Sequence, residues 1–523
     1  MLERYCDALI IGTELSGLIT AAFLARRGLS VQVLDLDPYA QNEREPDPFC
    51  VSHLHSKLLR SILGRLNIPE NDIQFLSSTE SPLQIIFPKK RIDISSNPAT
   101  FYEELEREFP DQHEKIRFFY ETLARIKHQV ESQQLYALVL PASFRERRQL
   151  MRFVRENSLD QRLEALGLPL NGDATLKNFL MAQLKMITYA HTEAPFAFQV
   201  AELLNPSEGE IYSVKGGHQY LKKIFIDRIS HHEGAYRPDT RIEKLLFRNG
   251  IFQGAQLSGM EGNVLARYVI WNASLKRLEN YLPALFRFRK LRKKIQNLKP
   301  HLHWFTCCFD VPREFIPPPM RENLVIIDNP DRELTETNFL SVQLRPAPQG
   351  SAPNRVEGSA PQGSAGGIGE ITGGMTRFLV NYLLPPALLD AADESFIPIH
   401  QKIREGLLKL LPFAEEKLIY TFPLMPKQEN TDTLFPLKEN DFEIFKQTAR
   451  SHPVFKLEAQ SFTDLFQISY KTPSPNLYLT APEILGSMGY EGKFMLGLKV
   501  TDLIWQDVEK EKKRAMKLER RIA

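Results

Sequence analysis

The 523-residue chain has few cysteines and no long apolar run. Its four cysteines, Cys6, Cys50, Cys307 and Cys308, show neither the spacing of a disulfide framework nor a C-x-x-C metal motif. No stretch of about 18 apolar residues occurs, so we expect no transmembrane helix. The first residues lack the basic and apolar regions of a signal peptide. These absences together predict a cytoplasmic protein.

The chain also lacks an excess of charge of either sign. Lysine and arginine number 66 and aspartate and glutamate number 64, so the net charge is +2 at pH 7. We therefore expect no nucleic-acid partner, because such proteins carry a marked basic excess. Two H-x-H pairs, at 53–55 and 301–303, each place two possible metal ligands on one face of a strand. Neither pair has an identifiable third ligand, so we expect no metal site.

The most informative segment is the first 35 residues, which have the order strand, tight turn, helix, strand. An apolar strand runs from Asp7 to Gly12, a helix from Leu18 to Arg27, and a second strand ends on Asp35. This order predicts a dinucleotide-binding βαβ unit. In such a unit the helix N-terminus faces a pyrophosphate, and an acidic residue about 20 positions after the turn binds a ribose.

The turn of this unit departs from the G-x-G-x-x-G pattern, because Glu14 stands at the second glycine of Gly12-Thr13-Glu14-Leu15-Ser16-Gly17. A side chain there obstructs the close approach of the pyrophosphate. A carboxylate also adds repulsion of about 4 kcal/mol at contact, for an effective dielectric constant of about 20. Glu14 can take the phosphate position itself, since a helix N-terminus stabilises negative charge. Alternatively, Glu14 turns outward and a cofactor still binds.

The rest of the chain alternates strands and helices. Asn249-Gly250 between two apolar runs predicts a β-hairpin. Residues 345–374 are rich in Gly, Ser, Ala and Pro, which predicts a flexible insert between two strands at 338–344 and 376–384. Further elements are predicted as strands at 83–87, 91–94, 264–270 and 475–480, and as helices from 97, across 114–166 and 174–204, at 219–230 and 396–411, and from 494 to 521.

Three blocks in this order resemble the phytoene-desaturase-like flavoproteins, a group within the amine-oxidase and GDP-dissociation-inhibitor fold. They are the N-terminal βαβ unit, Lys215-Gly216-Gly217 before a helix and hairpin, and the C-terminal strand, glycines and helix. The resemblance implies an α/β fold with a Rossmann-like FAD-binding domain of three-layer ββα architecture that is discontinuous in sequence. It implies a FAD-binding-type domain at 1–95, 205–295 and 470–523, and an interleaved α+β substrate domain at 96–204 and 296–469.

The resemblance also implies which residues would bind FAD. Gly12 and Gly17 would flank the pyrophosphate, and Asp35 would bind the ribose hydroxyls. Three C-terminal glycines would let the last helix start near the isoalloxazine. Lys215 neutralises a phosphate or is simply exposed in a turn, and no catalytic side chain is identifiable. The candidate cofactor-binding residues are Gly12, Thr13, Glu14, Gly17, Asp35, Lys215, Gly486, Gly489 and Gly492.

Three departures from the family pattern point to weakened or lost FAD binding. The first is Glu14. The second is the absence of Gly-Gly-Arg after Asp35. The third is Ala481-Pro482 in place of the family's Gly-Asp, because Pro482 offers neither a carboxylate nor an N–H. Glu483, one place later, can substitute for that aspartate.

Three functions remain open, and we favour the first. It is an FAD-dependent oxidoreductase of desaturase, saturase or isomerase type, acting on a long apolar substrate such as a carotenoid, polyene or isoprenoid. The second is a cofactor-free relative that binds or escorts an apolar ligand or a partner protein. The third is an NAD-dependent dehydrogenase. A lipid-soluble substrate would enter from a membrane, which favours peripheral membrane contact. The basic residues that could contact an anionic membrane surface are Arg145, Arg147, Arg148 and Arg152. A solvated helix face explains these residues equally well.

Overall fold

The computed structural model describes most of the chain. The described residues are 4–36, 52–54, 57–73, 76–78, 83–132, 140–166, 173–188, 190–204, 212–214, 217–238, 240–258, 262–347, 374–390, 392–422, 451–456, 459–466 and 468–522. Lys215, Cys50, His55 and the predicted insert between 348 and 373 lie outside them. Within these ranges, no helix has the length and apolar character needed to cross a membrane.

The described strands range in length from two residues in β7 to 13 residues in β13. They are β1 Arg4–Ile11, β2 Val31–Leu34, β3 Ser52–Leu54, β4 Leu76–Ser78, β5 Leu83–Ile86, β6 Arg91–Ile94, β7 Ala190–His191, β8 Tyr212–Val214, β9 Ala235–Arg237, β10 Ile242–Arg248, β11 Ile251–Leu257, β12 Asn263–Trp271, β13 Pro300–Pro312, β14 Asn323–Ile326, β15 Leu340–Pro346, β16 Met375–Leu384, β17 Ile419–Phe422, β18 Ser451–Lys456 and β19 Leu477–Leu479.

The described helices include one very long helix at the C-terminal end. They are α1 Leu15–Arg26, α2 Lys57–Arg65, α3 Glu70–Ile73, α4 Pro98–Glu108, α5 His113–Ser132, α6 Phe144–Glu156, α7 Ala174–Ile187, α8 Ala197–Leu203, α9 Gly217–His231, α10 Leu275–Glu279, α11 Arg289–Gln296, α12 Pro386–Asp390, α13 Ala392–Leu410 and α14 Gly489–Ile522.

Two compact units are built from interleaved segments of the chain. Unit 1 comprises residues 1–82, 94–301 and 454–523, and unit 2 comprises residues 83–93 and 302–453. Residues 96–204 therefore fold within the unit that contains the βαβ segment. Their predicted role in binding substrate stays a prediction.

The sheet of unit 1 has the strand order β10-β11-β12-β1-β2-β9, with β19 also paired to β12. β1 pairs in parallel with β2 on one side and with β12 on the other, and β12 pairs in parallel with β19. The chain thus leaves β1 in one direction and returns on its other side. In such sheets, ligands bind beyond the carboxyl ends of the strands at this switch point.

The N-terminal βαβ unit is confirmed, and its residues explain its form. α1 is buried from Leu15 to Ala25, as expected of a helix packed between a sheet and other helices. Gly28 follows it with φ of +82°, a conformation that favours glycine. The predicted hairpin is also confirmed, because Asn249 and Gly250 both have positive φ and connect β10 to β11.

The last helix begins earlier than predicted, at Gly489 rather than Phe494. Its backbone lies close to that of α1: a Cβ on Gly497 would lie 2.7 Å from the Ser16 carbonyl oxygen. The Thr20 hydroxyl donates to the Gly497 carbonyl oxygen over 3.0 Å. This close packing fixes the first turns of α14 relative to the N-terminus of α1.

Unit 2 contains the sheet segment β6-β5-β14-β15-β16-β13, with β17 paired to β13. β15 and β16 pair in antiparallel register from Leu340 with Tyr382 to Pro346 with Thr376, which confirms the two predicted strands that flank the insert. The side chains of Ile403 and Leu407 of α13 are buried in one core with Phe309. Both Cys307 and Cys308 are buried on β13.

Candidate functional site

The candidate site lies beyond the carboxyl ends of the parallel strands of unit 1. β1 ends at Ile11 and leads into the turn that precedes α1. β2 is followed by Asp35, β12 by Asn272 and β19 by Thr480. Strands distant in sequence therefore deliver polar residues to one edge of the sheet.

Asn272 joins these strand ends through its buried side-chain amide. Its Oδ1 accepts hydrogen bonds from the Gly17 N–H over 2.9 Å and from the Thr480 hydroxyl over 2.8 Å. Its Nδ2 donates to the carbonyl oxygens of Gly12 over 3.1 Å and of Glu14 over 2.7 Å. One amide thus holds the turn, the first turn of α1 and the end of β19 together.

Gly12 and Gly17 are the two glycines that the turn retains, and both pack against Asn272. Gly12 has φ of +104°, and a Cβ on it would lie 2.4 Å from the Asn272 carbonyl oxygen. A Cβ on Gly17 would lie 2.1 Å from the Asn272 Cγ. The protein's own packing therefore requires both glycines, whatever a cofactor requires of them.

Glu14, the residue that breaks the turn motif, forms an ion pair with Lys493. It is the N-cap residue of α1 with extended backbone, and its side chain makes no capping hydrogen bond. Its carboxylate accepts instead from Lys493 Nζ over 2.6 Å. The Lys493 side chain is only 4% exposed, and that of Glu14 is 25% exposed. A cationic amino group therefore lies beside the N-terminus of α1 with little access to solvent.

The first turn of α1 still has hydrogen-bonding capacity. Within the described part of the chain, no acceptor contacts the buried N–H groups of Leu15 and Ser16. Such groups are left over at the start of every α-helix and attract anions. The amino group of Lys493 and these two N–H groups are donors that could hold an anion such as a diphosphate.

Asp35, the predicted ribose-binding residue, is buried and hydrogen-bonded through both carboxylate oxygens. Oδ1 accepts from the Thr13 hydroxyl over 3.3 Å and Oδ2 from the Tyr236 hydroxyl over 2.7 Å. Its main-chain groups bond to those of Arg237 and Thr240. The carboxylate is thus fixed at the expected strand end by two hydroxyl groups, and its predicted role in binding a ribose stays a prediction.

Glu483, the predicted substitute for the family's aspartate, contacts α10. Its Oε1 accepts from the Leu275 N–H over 2.9 Å, which stabilises the N-terminus of that short helix. Its Oε2 is shielded from solvent and lacks a hydrogen-bond partner among the described residues. Burial raises the pKa of Glu483 and the Glu14 carboxylate acts in the same direction, whereas the Leu275 N–H and Lys493 lower it. The resulting pKa is about 7.

The three predicted C-terminal glycines lie at the start of α14. Gly489 has φ of +54°, and a Cβ on it would lie 2.0 Å from the Ile187 carbonyl oxygen. A Cβ on Gly492 would lie 2.5 Å from the Leu485 carbonyl oxygen. Gly486 opens a single 3₁₀ turn just before. Backbone packing accounts for Gly489 and Gly492, and the predicted contact with a flavin stays a prediction for all three.

Sequence reasoning missed three residues of the site, namely Lys493, Asn272 and Tyr236. Lys493 lies 479 residues after Glu14. It also lies one residue before the predicted start of its helix at Phe494, so the sequence gives no sign that it faces Glu14. Asn272 carried a usable signal, because it directly follows an apolar strand that pairs with β1. Tyr236 lies in a three-residue strand with no recognisable pattern.

Comparisons with known proteins identify the fold. No protein-family model matches the chain, and no curated protein is similar to it in sequence. An oxidoreductase from Methanosarcina mazei superposes with a TM-score of 0.56 at 16% identity, covering 95% of this chain and 100% of the other. Putrescine oxidase bound to putrescine superposes with a TM-score of 0.52 at 14% identity, covering 97% and 100%. The chain thus has the α/β fold of these oxidoreductases, and the narrower phytoene-desaturase-like resemblance stays a prediction.

Proposed function

We propose that this protein is an FAD-dependent oxidoreductase. The observation that carries the proposal is the position of Lys493, whose buried amino group lies beside the N-terminus of α1 at the switch point of the sheet. A helix N-terminus together with a lysine is a favourable environment for a diphosphate. The shared fold with two oxidoreductases supports the same proposal.

The residues at the switch point have distinct roles in this proposal. Lys493 and the N–H groups of Leu15 and Ser16 bind the diphosphate. Asp35 binds the ribose of the adenosine half after its carboxylate exchanges the Tyr236 hydroxyl for a ribose hydroxyl. Asn272 holds the turn and α1 in place, as its four hydrogen bonds require. The flavin supplies the electron transfer, and the chain supplies binding and orientation.

The substrate in this proposal is a long apolar molecule such as a carotenoid, polyene or isoprenoid, taken from a membrane surface. Two basic helices with exposed phenylalanines support the membrane contact. Phe144 begins α6 and is 76% exposed, and Phe286 precedes α11 and is 85% exposed. α11 has the sequence Arg289-Lys290-Leu291-Arg292-Lys293-Lys294-Ile295-Gln296, and no acidic residue lies between 280 and 309. Basic helices with exposed aromatic residues bind anionic membrane surfaces.

The test of the proposed function is the visible absorption spectrum of freshly purified protein, with any released cofactor identified after denaturation. We expect bound FAD, or FAD taken up on reconstitution, that is reducible by dithionite. A colourless protein that takes up no FAD would contradict the proposal.

A cofactor-free binding protein is the second candidate, and the Glu14–Lys493 ion pair is the observation in its favour. In that function the ion pair permanently replaces a phosphate, and unit 1 binds an apolar ligand or partner through the same fold. Bound, reducible flavin close to one equivalent per chain would eliminate this candidate.

A further inference from the structure

We propose that Glu14 acts as a built-in competitor of the cofactor diphosphate, with Lys493 as the cation for which the two anions compete. This inference rests on the proposed function and concerns the same site. It predicts that removal of the Glu14 charge increases the affinity of the site for diphosphates.

The position of Glu14 is the first argument. In the G-x-G-x-x-G turn, the residue at this place is the one that the pyrophosphate approaches most closely. Glu14 has the extended backbone of an N-cap residue, yet its carboxylate does not cap the helix. The carboxylate extends instead to Lys493 in the second turn of α14, and the distance from Glu14 Oε2 to Lys493 Nζ is 2.6 Å.

The burial of Lys493 is the second argument. A lysine side chain that is 4% exposed needs an anion beside it, because an isolated ammonium group is poorly tolerated away from water. Glu14 supplies that anion in the structure. A diphosphate supplies more negative charge at the same place, so Lys493 remains neutralised when the two exchange.

The exposure of Glu14 is the third argument, because it gives the carboxylate a route out of the site. At 25% exposed, its side chain already reaches solvent on one side. The main chain of Glu14 is fixed by Asn272, which accepts from and donates to it. Exchange therefore requires only a rotation of the Glu14 side chain, with the turn itself unchanged.

The tethering of the carboxylate explains why the competition is strong. A group attached to the turn competes at a high effective concentration, unlike a free anion in solution. Glu14 therefore selects for ligands that bring several contacts besides the diphosphate, as a whole dinucleotide does. Small phosphates are excluded from the site by the same mechanism.

The experiment measures FAD affinity by quenching of flavin fluorescence, and pyrophosphate affinity by the shift in melting temperature. The variants are Glu14→Gly and Glu14→Gln. Glu14→Gln retains a hydrogen-bond acceptor for Lys493, so it can be tested even if Glu14→Gly does not fold. Glu146→Gln is the matched control. Glu146 of α6 forms a comparable ion pair over 2.9 Å with Lys499, which lies on α14 as Lys493 does. We expect both Glu14 variants to bind FAD at least tenfold more tightly than the wild type, and the control to be unchanged.

The outcomes separate this inference from the proposed function. A double variant, Glu14→Gln with Lys493→Met, should lose the increased affinity for FAD and pyrophosphate that Glu14→Gln alone shows. If the Glu14 variants bind pyrophosphate more tightly but no variant binds FAD, the inference holds and the proposed function fails. If wild type and both Glu14 variants bind FAD equally, the function holds and the inference is overturned. The inference is also overturned if the Glu14 variants gain affinity for neither probe.

Discussion

At the scale of single residues, the site is organised by an amide and two glycines with no charge of their own. Asn272 makes four hydrogen bonds to groups at the ends of β1 and β19 and in the first turn of α1. Gly17 is required because the amide occupies the space beside its Cα. Sequence motifs assign such glycines to the cofactor, and here the protein's own contacts are sufficient to explain them.

Gly17→Ala should lower the free energy of unfolding by about 2–4 kcal/mol, because the new Cβ forces the Asn272 amide out of its hydrogen bonds. Urea unfolding followed by circular dichroism measures the change. Gly64→Ala is the matched control: Gly64 lies in α2 with open space around its Cα, and alanine should raise stability by up to about 1 kcal/mol. Equal effects of the two substitutions would contradict the role given to Asn272.

Glu483 should make the stability of the protein depend on pH. Its pKa is about 7 in the folded chain and near the ordinary value of 4.5 when unfolded. The folded state therefore binds the proton more tightly, and the resulting stabilisation is complete below pH 4.5 and lost as the pH rises through 7. The loss is on the order of 3 kcal/mol.

Glu483→Gln removes this titration and keeps an acceptor for the Leu275 N–H. Urea unfolding of both proteins at pH 5 and pH 8 tests the point. The wild type should lose stability relative to the variant between these two pH values. Parallel pH profiles would show that the carboxylate stays ionised in the folded protein, stabilised by Lys493.

At the scale of elements, sequence patterns predict the helices, strands and turns that are determined by residues close together in the chain. The βαβ unit follows from apolar runs of strand and helix length, and the hairpin from Asn249-Gly250. The predicted start of α14 at Phe494 is wrong by five residues, because Gly489 and Gly492 have low helix propensity and do not indicate a helix. Close packing against Ile187 and Leu485 overrides that propensity, and no local pattern could reveal these contacts.

The insert between β15 and β16 allows a prediction about this pair of strands. Pairing continues to Pro346 and Thr376, and the Ala347 N–H donates to the Met375 carbonyl oxygen over 3.1 Å. The two chain ends are therefore close enough for a short turn. Replacing residues 348–373 by four residues should raise stability by about 1–2 kcal/mol, because loop closure becomes less costly.

A graded control separates the entropy of loop closure from specific contacts of the insert. Removal of residues 348–360 alone should raise stability by only about 0.6 kcal/mol, as expected when the number of residues in the closed loop is halved. Thermal unfolding of the three chains gives the comparison. A loss of stability on shortening would show that the insert makes stabilising contacts.

At the scale of the whole molecule, a net charge of +2 conceals an uneven distribution of charge. If α11 contacts membranes as proposed, replacing Arg289, Lys290 and Lys293 by glutamine should weaken binding to anionic vesicles about 100-fold. This estimate takes about 1 kcal/mol for each basic residue near the surface. Co-sedimentation with vesicles containing phosphatidylglycerol measures the change.

Two controls make the vesicle experiment specific. Glutamine at Lys510, Lys513 and Lys517, which are exposed on the last turns of α14, removes the same charge elsewhere and should leave binding unchanged. Phe286→Ser should weaken binding without changing any charge, which a purely electrostatic contact would not show. Binding that is insensitive to all three α11 substitutions would contradict the membrane proposal.

The position of β1 in its sheet has a consequence for the synthesis of the protein. β1 is synthesised well before its partner β12, which ends at Trp271, and the Thr480 hydroxyl that secures Asn272 comes still later. At a translation rate of about 5–20 residues per second, one edge of β1 stays unpaired for roughly 12–50 s. An unpaired strand edge readily joins other chains. We therefore expect the nascent chain to be prone to aggregation until β12 has been made and can pair with β1.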